Sequence, residues 1–132
     1  LVIAAGNQSQ NNDEQLTYPA SFHHNNMIVV AATTETGELA SFSNYGNLVD
    51  ILAPGERILT TSNNSGKSYG SGTSFASPLV AGAAALYLSQ NKVAKPSDVF
   101  KSLKAFASNP RNPYILKIPA NTPTTSLFIE KL

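Results

Sequence analysis

A serine among small residues, Gly72-Thr73-Ser74-Phe75-Ala76-Ser77-Pro78, opens the most apolar run of this chain, Leu79 to Leu88. A hydroxyl leading into a helix lies where backbone N–H groups face outward and stabilise any negative charge that develops beside them. Small residues on either side let a substrate carbonyl come close. That is the chemistry of a nucleophilic serine. The competing reading is an ordinary N-cap serine, which is common.

Other groups with chemical capacity are few. The two histidines, His23 and His24, stand side by side in a loop before an apolar run, and a surface pair is the simpler reading. No third ligand stands at metal-site spacing from them. Cysteine is absent, so disulfides and thiolate chemistry are excluded. Gly66-Lys67-Ser68 has the ending of a phosphate loop, but the glycine required five residues earlier is Thr61. Gly72-Thr73-Ser74-Phe75-Ala76 approaches the nucleophile elbow of α/β hydrolases, yet alanine replaces its last glycine. Asn7-Gln8-Ser9 and Asn63-Asn64-Ser65 are formal glycosylation sequons, the second in a surface turn.

The run Gly72 to Pro78, continued by Leu79-Val80-Ala81-Gly82-Ala83-Ala84-Ala85-Leu86, resembles the signature around the nucleophile of the subtilisin-like (subtilase) serine proteases. Upstream, Ala4-Ala5-Gly6-Asn7 is similar to the oxyanion-hole segment of that family. Between them Tyr18-Pro19-Ala20, Ala40-Ser41-Phe42-Ser43-Asn44-Tyr45-Gly46 and Asp50-Ile51-Leu52-Ala53-Pro54-Gly55 also resemble family segments, in the same order. The likeness covers residues 1–107, and the tail, residues 108–132, matches least.

The resemblance implies a serine endopeptidase, secreted or otherwise held in a compartment. Ser74 would be the nucleophile and Asn7 the side-chain donor to the oxyanion. Ala4, Ala5 and Gly6 would form one wall of the substrate pocket, and Thr17 would lie near its floor. Thr73, beside the nucleophile, is counted with them as substrate-binding. Phe75 stands where many members have methionine. In the family pattern the loop holding His23 and His24 lies away from the nucleophile. The aspartate and histidine of the catalytic triad are absent, because in subtilases they lie upstream. Without a base Ser74 is a weak nucleophile, so these residues by themselves are expected to be inactive. The implied partners are that upstream half, a protein or peptide substrate and a propeptide. A protease-like binding module without catalysis is the alternative. The chemistry needs no cofactor, but the family often binds structural calcium. Asp13, Glu14, Glu35 and Asp50 are the acids available for it, and all but Asp50 read better as solvated surface.

These residues need a scaffold. Leu1–Ala5, Met27–Ala32, Leu48–Ala53 and Arg57–Thr61 read as strands, closed by Gly6-Asn7, by the Gly37 turn, by Pro54-Gly55 and by the 63–66 turn. A helix is predicted from Ser74 to Gln90, with Pro78 in its first turn and apolar residues all round. A second, amphipathic helix starts at Ser97-Asp98, with Val99, Phe100, Leu103 and Phe106 inward and Lys101 and Lys104 toward water. One late strand is expected at Ser126–Ile129. Buried strands rich in Ile, Val and Ala, followed by helices, imply an α/β fold. With the resemblance this becomes the subtilisin-like three-layer α/β/α fold with a mostly parallel sheet. The opening Leu1-Val2-Ile3 begins as a strand already under way, so the chain is expected to be the C-terminal part of one catalytic domain, exposing a sheet edge and an apolar face.

The bulk properties agree. With 132 residues, 42% of them hydrophobic and a net charge of +1, the chain reads as a folded core, not a nucleic-acid binder. Its longest apolar run is well short of the ~20 residues that span a bilayer. Seven of the nine basic residues fall after position 91, spread over a helix and a tail as a solvated face.

Overall fold

The computed structural model describes residues 1–22, 24–63 and 66–107. His23, the Asn64-Ser65 part of the second sequon, and the tail 108–132 with its expected strand lie outside the described residues. Three short strands make a parallel sheet: β1 (Val2–Ala4), β2 (Ile28–Thr33) and β3 (Ile51–Pro54), with β2 in the middle. Val2 faces Ile28 in one register, and Val30 faces Ile51 in the other. Every residue of β2 is buried, as a central parallel strand requires.

Strand side chains alternate between the two faces. Val2, Ile28, Val30, Ala32, Ile51 and Ala53 meet the helices α1 (Thr73–Gln90) and α2 (Pro96–Ala107) through Ala76, Val80, Ala83, Val99 and Leu103. Ile3, Val29, Ala31 and Leu52 face the other way, toward Ala5 and Ala20. That second face is covered by the 5–27 connection, which includes a short 3-10 turn at Ala20–Phe22. The expected parallel α/β sheet is therefore present. A second, antiparallel sheet joins β4 (Ile58–Thr61) to β5 (Lys67–Gly70). The sequence reading missed β5, because Ser68 and Gly70 weaken a strand pattern that its pairing with β4 restores.

Three expectations about the helices need correction. α1 begins at Thr73 with Gly72 as its cap, so Pro78 is its sixth residue and not in the first turn. The missing N–H falls where the Ser74 carbonyl would have found its partner. Nor is α1 buried all round: Ala81, Gly82, Ala85 and Leu88 are exposed, and a Cβ added at Gly82 would meet nothing within 4 Å. Its buried side runs along Ala76, Val80 and Ala83, with Ala84 and Tyr87 partly buried against the same core. Lastly, Lys104 does not simply face water. Its ammonium lies 3.5 Å from Asp50 and 4.5 Å from the centre of the Phe100 ring.

Asp50 is the charged anchor of this packing. Its side chain is only 4% exposed, and its Oδ2 accepts the Val29 N–H at 2.9 Å while Oδ1 pairs with Lys104 on α2. A buried carboxylate persists only with such partners. Among the described residues no helix is long and apolar enough to cross a membrane.

Asp50→Ala is expected to lower stability by about 2 kcal/mol in urea denaturation, since the Val29 N–H loses its acceptor. Lys104→Met, at a half-exposed position, should cost less than about 1 kcal/mol. Equal costs for the two would contradict this account.

Candidate active site

The carboxyl ends of the strands carry the site, as is usual in open α/β sheets. β1 runs into Ala5, Gly6 and Asn7, and the β3–β4 turn carries Gly55 beneath the start of α1. Small residues let these pieces close together. A methyl on Gly55 would come 2.6 Å from the Ala32 Cβ and 2.9 Å from the Gly72 carbonyl oxygen. The Gly72 N–H donates to the Gly55 carbonyl at 2.8 Å, fixing the cap of α1 over the sheet.

Gly72 has φ 152° and ψ 158°, a conformation open essentially to glycine alone. It makes no side-chain cap, and Ser74 is the second residue of the helix, not its cap. The N-cap reading of Ser74 is thus excluded by geometry. Ser74 is exposed, and its N–H belongs to the first turn, whose N–H groups have no intrahelical acceptor.

Asn7, sixty-six residues earlier, is fixed against the same turn. Its side-chain Oδ1 accepts two hydrogen bonds from Thr73, one from the N–H at 2.8 Å and one from the hydroxyl at 2.9 Å. The Thr73 hydroxyl in turn accepts the Gly6 N–H at 3.1 Å. With its oxygen so engaged, the amide must turn its NH2 the other way. A methyl on Gly72 would lie 3.1 Å from the Ser74 Oγ and 3.3 Å from the Asn7 Nδ2. Hydroxyl and amide therefore converge on one small space beside that glycine. The Phe75 ring lies against Gly70, where no Cβ would fit, and walls the space on the hairpin side.

The remaining expected residues divide by position. Ala5 is fully buried and bonded through its N–H to the Val30 carbonyl, so it supports the turn from below. Ala4 ends β1 and is half-buried, and Gly6 has φ 113°. Thr17 is half-buried in a polar cluster under the turn, where its hydroxyl accepts from Gln10 Nε2 at 2.8 Å and from Asn44 Nδ2 at 3.4 Å. His24 is exposed and stacks on Phe22, with ring centres 6.2 Å apart. Three of the four acids considered for calcium have partners in the protein: Asp13 the Asn47 and Leu48 N–H groups, Glu14 the Asn11 side chain, and Asp50 as described; Glu35 is exposed. Among the described residues no three His, Cys, Asp or Glu gather into a metal site.

Sequence reasoning missed Asn12, Asn44 and Gln8. Asn12 and Asn44 are fully buried polar residues beneath the turn. An asparagine in a polar loop carries no signal of this. Only burial and hydrogen bonding reveal it.

Comparison with known proteins places this chain in a family. Residues 1–117 match the model of the subtilase family, peptidase S8. An extracellular serine proteinase of Thermus sp. (strain Rt41A) is 43% identical over 110 residues, which cover 82% of this chain and 26% of that protein. A thermophilic serine proteinase of Bacillus sp. (strain AK1) is 48% identical over 92 residues, 70% of this chain and 22% of its own length. The crystal structure of a cold adapted subtilisin-like serine proteinase superposes with a TM-score of 0.76 at 34% identity, covering 88% of this chain and 42% of that one. The chain thus spans about a quarter of the curated relatives it matches. With a fold shared over most of its length and a family match running from its first strand past its last described helix, this chain belongs to the subtilase family.

Proposed function

We propose that this chain supplies the nucleophile and the oxyanion hole of a serine endopeptidase. The observation that carries the reading is the convergence of the Ser74 Oγ and the Asn7 Nδ2 beside Gly72. In the proposed mechanism the Ser74 oxygen attacks the scissile carbonyl, and its proton passes to a histidine supplied from outside these 132 residues. The carbonyl oxygen becomes an anion held by the Asn7 amide and the Ser74 N–H; as it collapses the C–N bond breaks, the histidine returns its proton to the leaving amine, and an acyl-enzyme remains. Water then gives a proton to the histidine and attacks the acyl ester, and the Ser74 oxygen leaves with that proton, freeing the carboxylic acid and the serine.

The fixed orientation of Asn7 supports this role, since a donor already aimed pays no reorganisation cost when charge develops. Ala4, Ala5 and Gly6 would line one side of the bound peptide, with Thr73 beside the nucleophile. Thr17 would act from behind that wall, as its hydrogen bonds to Gln10 and Asn44 suggest. The aspartate and histidine belong to the upstream part of the catalytic domain, which is therefore the first partner, followed by a peptide substrate and a propeptide. Relatives named as an extracellular proteinase and as an exoprotease favour a secreted enzyme.

The test is labelling of the full-length parent polypeptide with a serine-reactive fluorophosphonate, read by intact mass. Stoichiometric labelling, lost in Ser74→Ala, is the expected result. A folded, mature parent that does not label would make the protein an inert binding module. Asn7→Ala should lower kcat by about 100- to 1000-fold with KM little changed, the loss typical of an oxyanion donor in this family. Gly72→Ala, which sets a methyl between hydroxyl and amide, should slow labelling by about 100-fold; labelling at the parent's rate would show that the space is not used.

A further inference from the structure

We infer that Gln8 and Asn44 are positioning residues that hold Asn7 at the oxyanion, an inference that rests on the reading of Ser74 and Asn7 given above. Asn44 is fully buried. Its backbone N–H donates to the Gly6 carbonyl at 2.9 Å, and its side-chain oxygen accepts the Gln8 N–H at 2.8 Å. Its side-chain nitrogen faces four acceptors: Asn12 Oδ1 at 2.9 Å, Gln8 Oε1 at 3.1 Å, the Ala5 carbonyl at 3.2 Å and the Thr17 hydroxyl at 3.4 Å. One buried residue therefore grips the chain on both sides of Asn7.

The last link is the Gln8 side chain. Its Oε1 accepts from Asn44 Nδ2 and, at 3.0 Å, from the Asn7 N–H. The Asn7 backbone donor is thus tied through one amide oxygen to the buried asparagine, while the Asn7 side-chain oxygen is tied to Thr73. The two attachments hold the residue from opposite ends, which leaves its NH2 a single direction. The chemistry also explains why residue 44 is an amide. A carboxylate there would set a negative oxygen against these acceptors, and an alanine would take from the buried Asn12 oxygen the donor it has at 2.9 Å.

A buried asparagine pair can also serve stability alone. Gln8 separates the two roles. It is exposed, so replacing it spares the fold, whereas replacing Asn44 does not. Gln8→Met keeps the side-chain length and removes the acceptor.

The experiment uses the full-length parent carrying Gln8→Met, Asn7→Ala or both. It reads kcat, KM, melting temperature and hydrogen–deuterium exchange of the segment holding Asn7. Expected for Gln8→Met are a kcat roughly tenfold lower, KM and melting temperature unchanged, and faster exchange at the Asn7 N–H. In the Asn7→Ala background the same change should lower kcat no further, because the residue it positions is gone. Unchanged exchange, or an equal loss of kcat in both backgrounds, would overturn the inference. A parent without Ser74-dependent turnover would sink the reading of Ser74 and with it the catalytic role of the relay. The exchange arm then tells which of the two failed.

Discussion

Everything at the candidate site depends on one pair of hydrogen bonds, those from Thr73 to the side-chain oxygen of Asn7. They join the end of the first strand to the start of the long helix, and they decide which end of the amide looks outward. For the bonds to form, helix and strand must come unusually close. The fold provides this through residues with little or no side chain: Ala32 and Ala53 on the sheet, Ala76 on the helix, and Gly55 between them. The glycine at the helix cap completes the approach, because its conformation is one that a Cβ would strain.

The surrounding core is built to keep that approach rigid. Alternating side chains of β2 bind the helices on one face and the 5–27 connection on the other, so both partners of the Thr73–Asn7 contact rest on the same central strand. The Asp50–Lys104 pair adds a charged link from α2 to the sheet at a distance from the site. Beneath Asn7 lies a polar layer where an apolar one would be expected, with Asn12 and Asn44 fully buried and their side chains bonded to each other at 2.9 Å. Such a layer costs stability unless its groups are paired, and here the pairing also sets the path of the turn.

Much of this was legible in the sequence, and for physical reasons. Apolar β-branched runs gave the strands within one to three residues, because burial on both faces leaves little freedom of composition. The start of α1 was placed one residue late and its proline misplaced by the same reasoning, since a serine ahead of an apolar run imitates a cap. Residues 67–70 gave no strand signal, because their structure comes from pairing with β4 rather than from their own side chains. Ser74 and Asn7 stand out in the sequence through their neighbours, and the structure brings them to one space beside Gly72. Asn44 and Gln8 could not be, since an asparagine and a glutamine in polar loops look alike whether solvated or central to a network. The apolar circumference of α1 was read as full burial, yet packing within the described residues uses only one stripe.

The ring of Phe75 on Gly70 has a consequence for durability. A methionine in that place would put a thioether beside Ser74. Here the chain holds no cysteine and a single methionine, Met27, which is 6% exposed at the head of the central strand. Peroxides and hypochlorous acid attack accessible sulfur first. In this stretch of the protein they find none at Ser74, so oxidative bleaching has no soft atom there to convert.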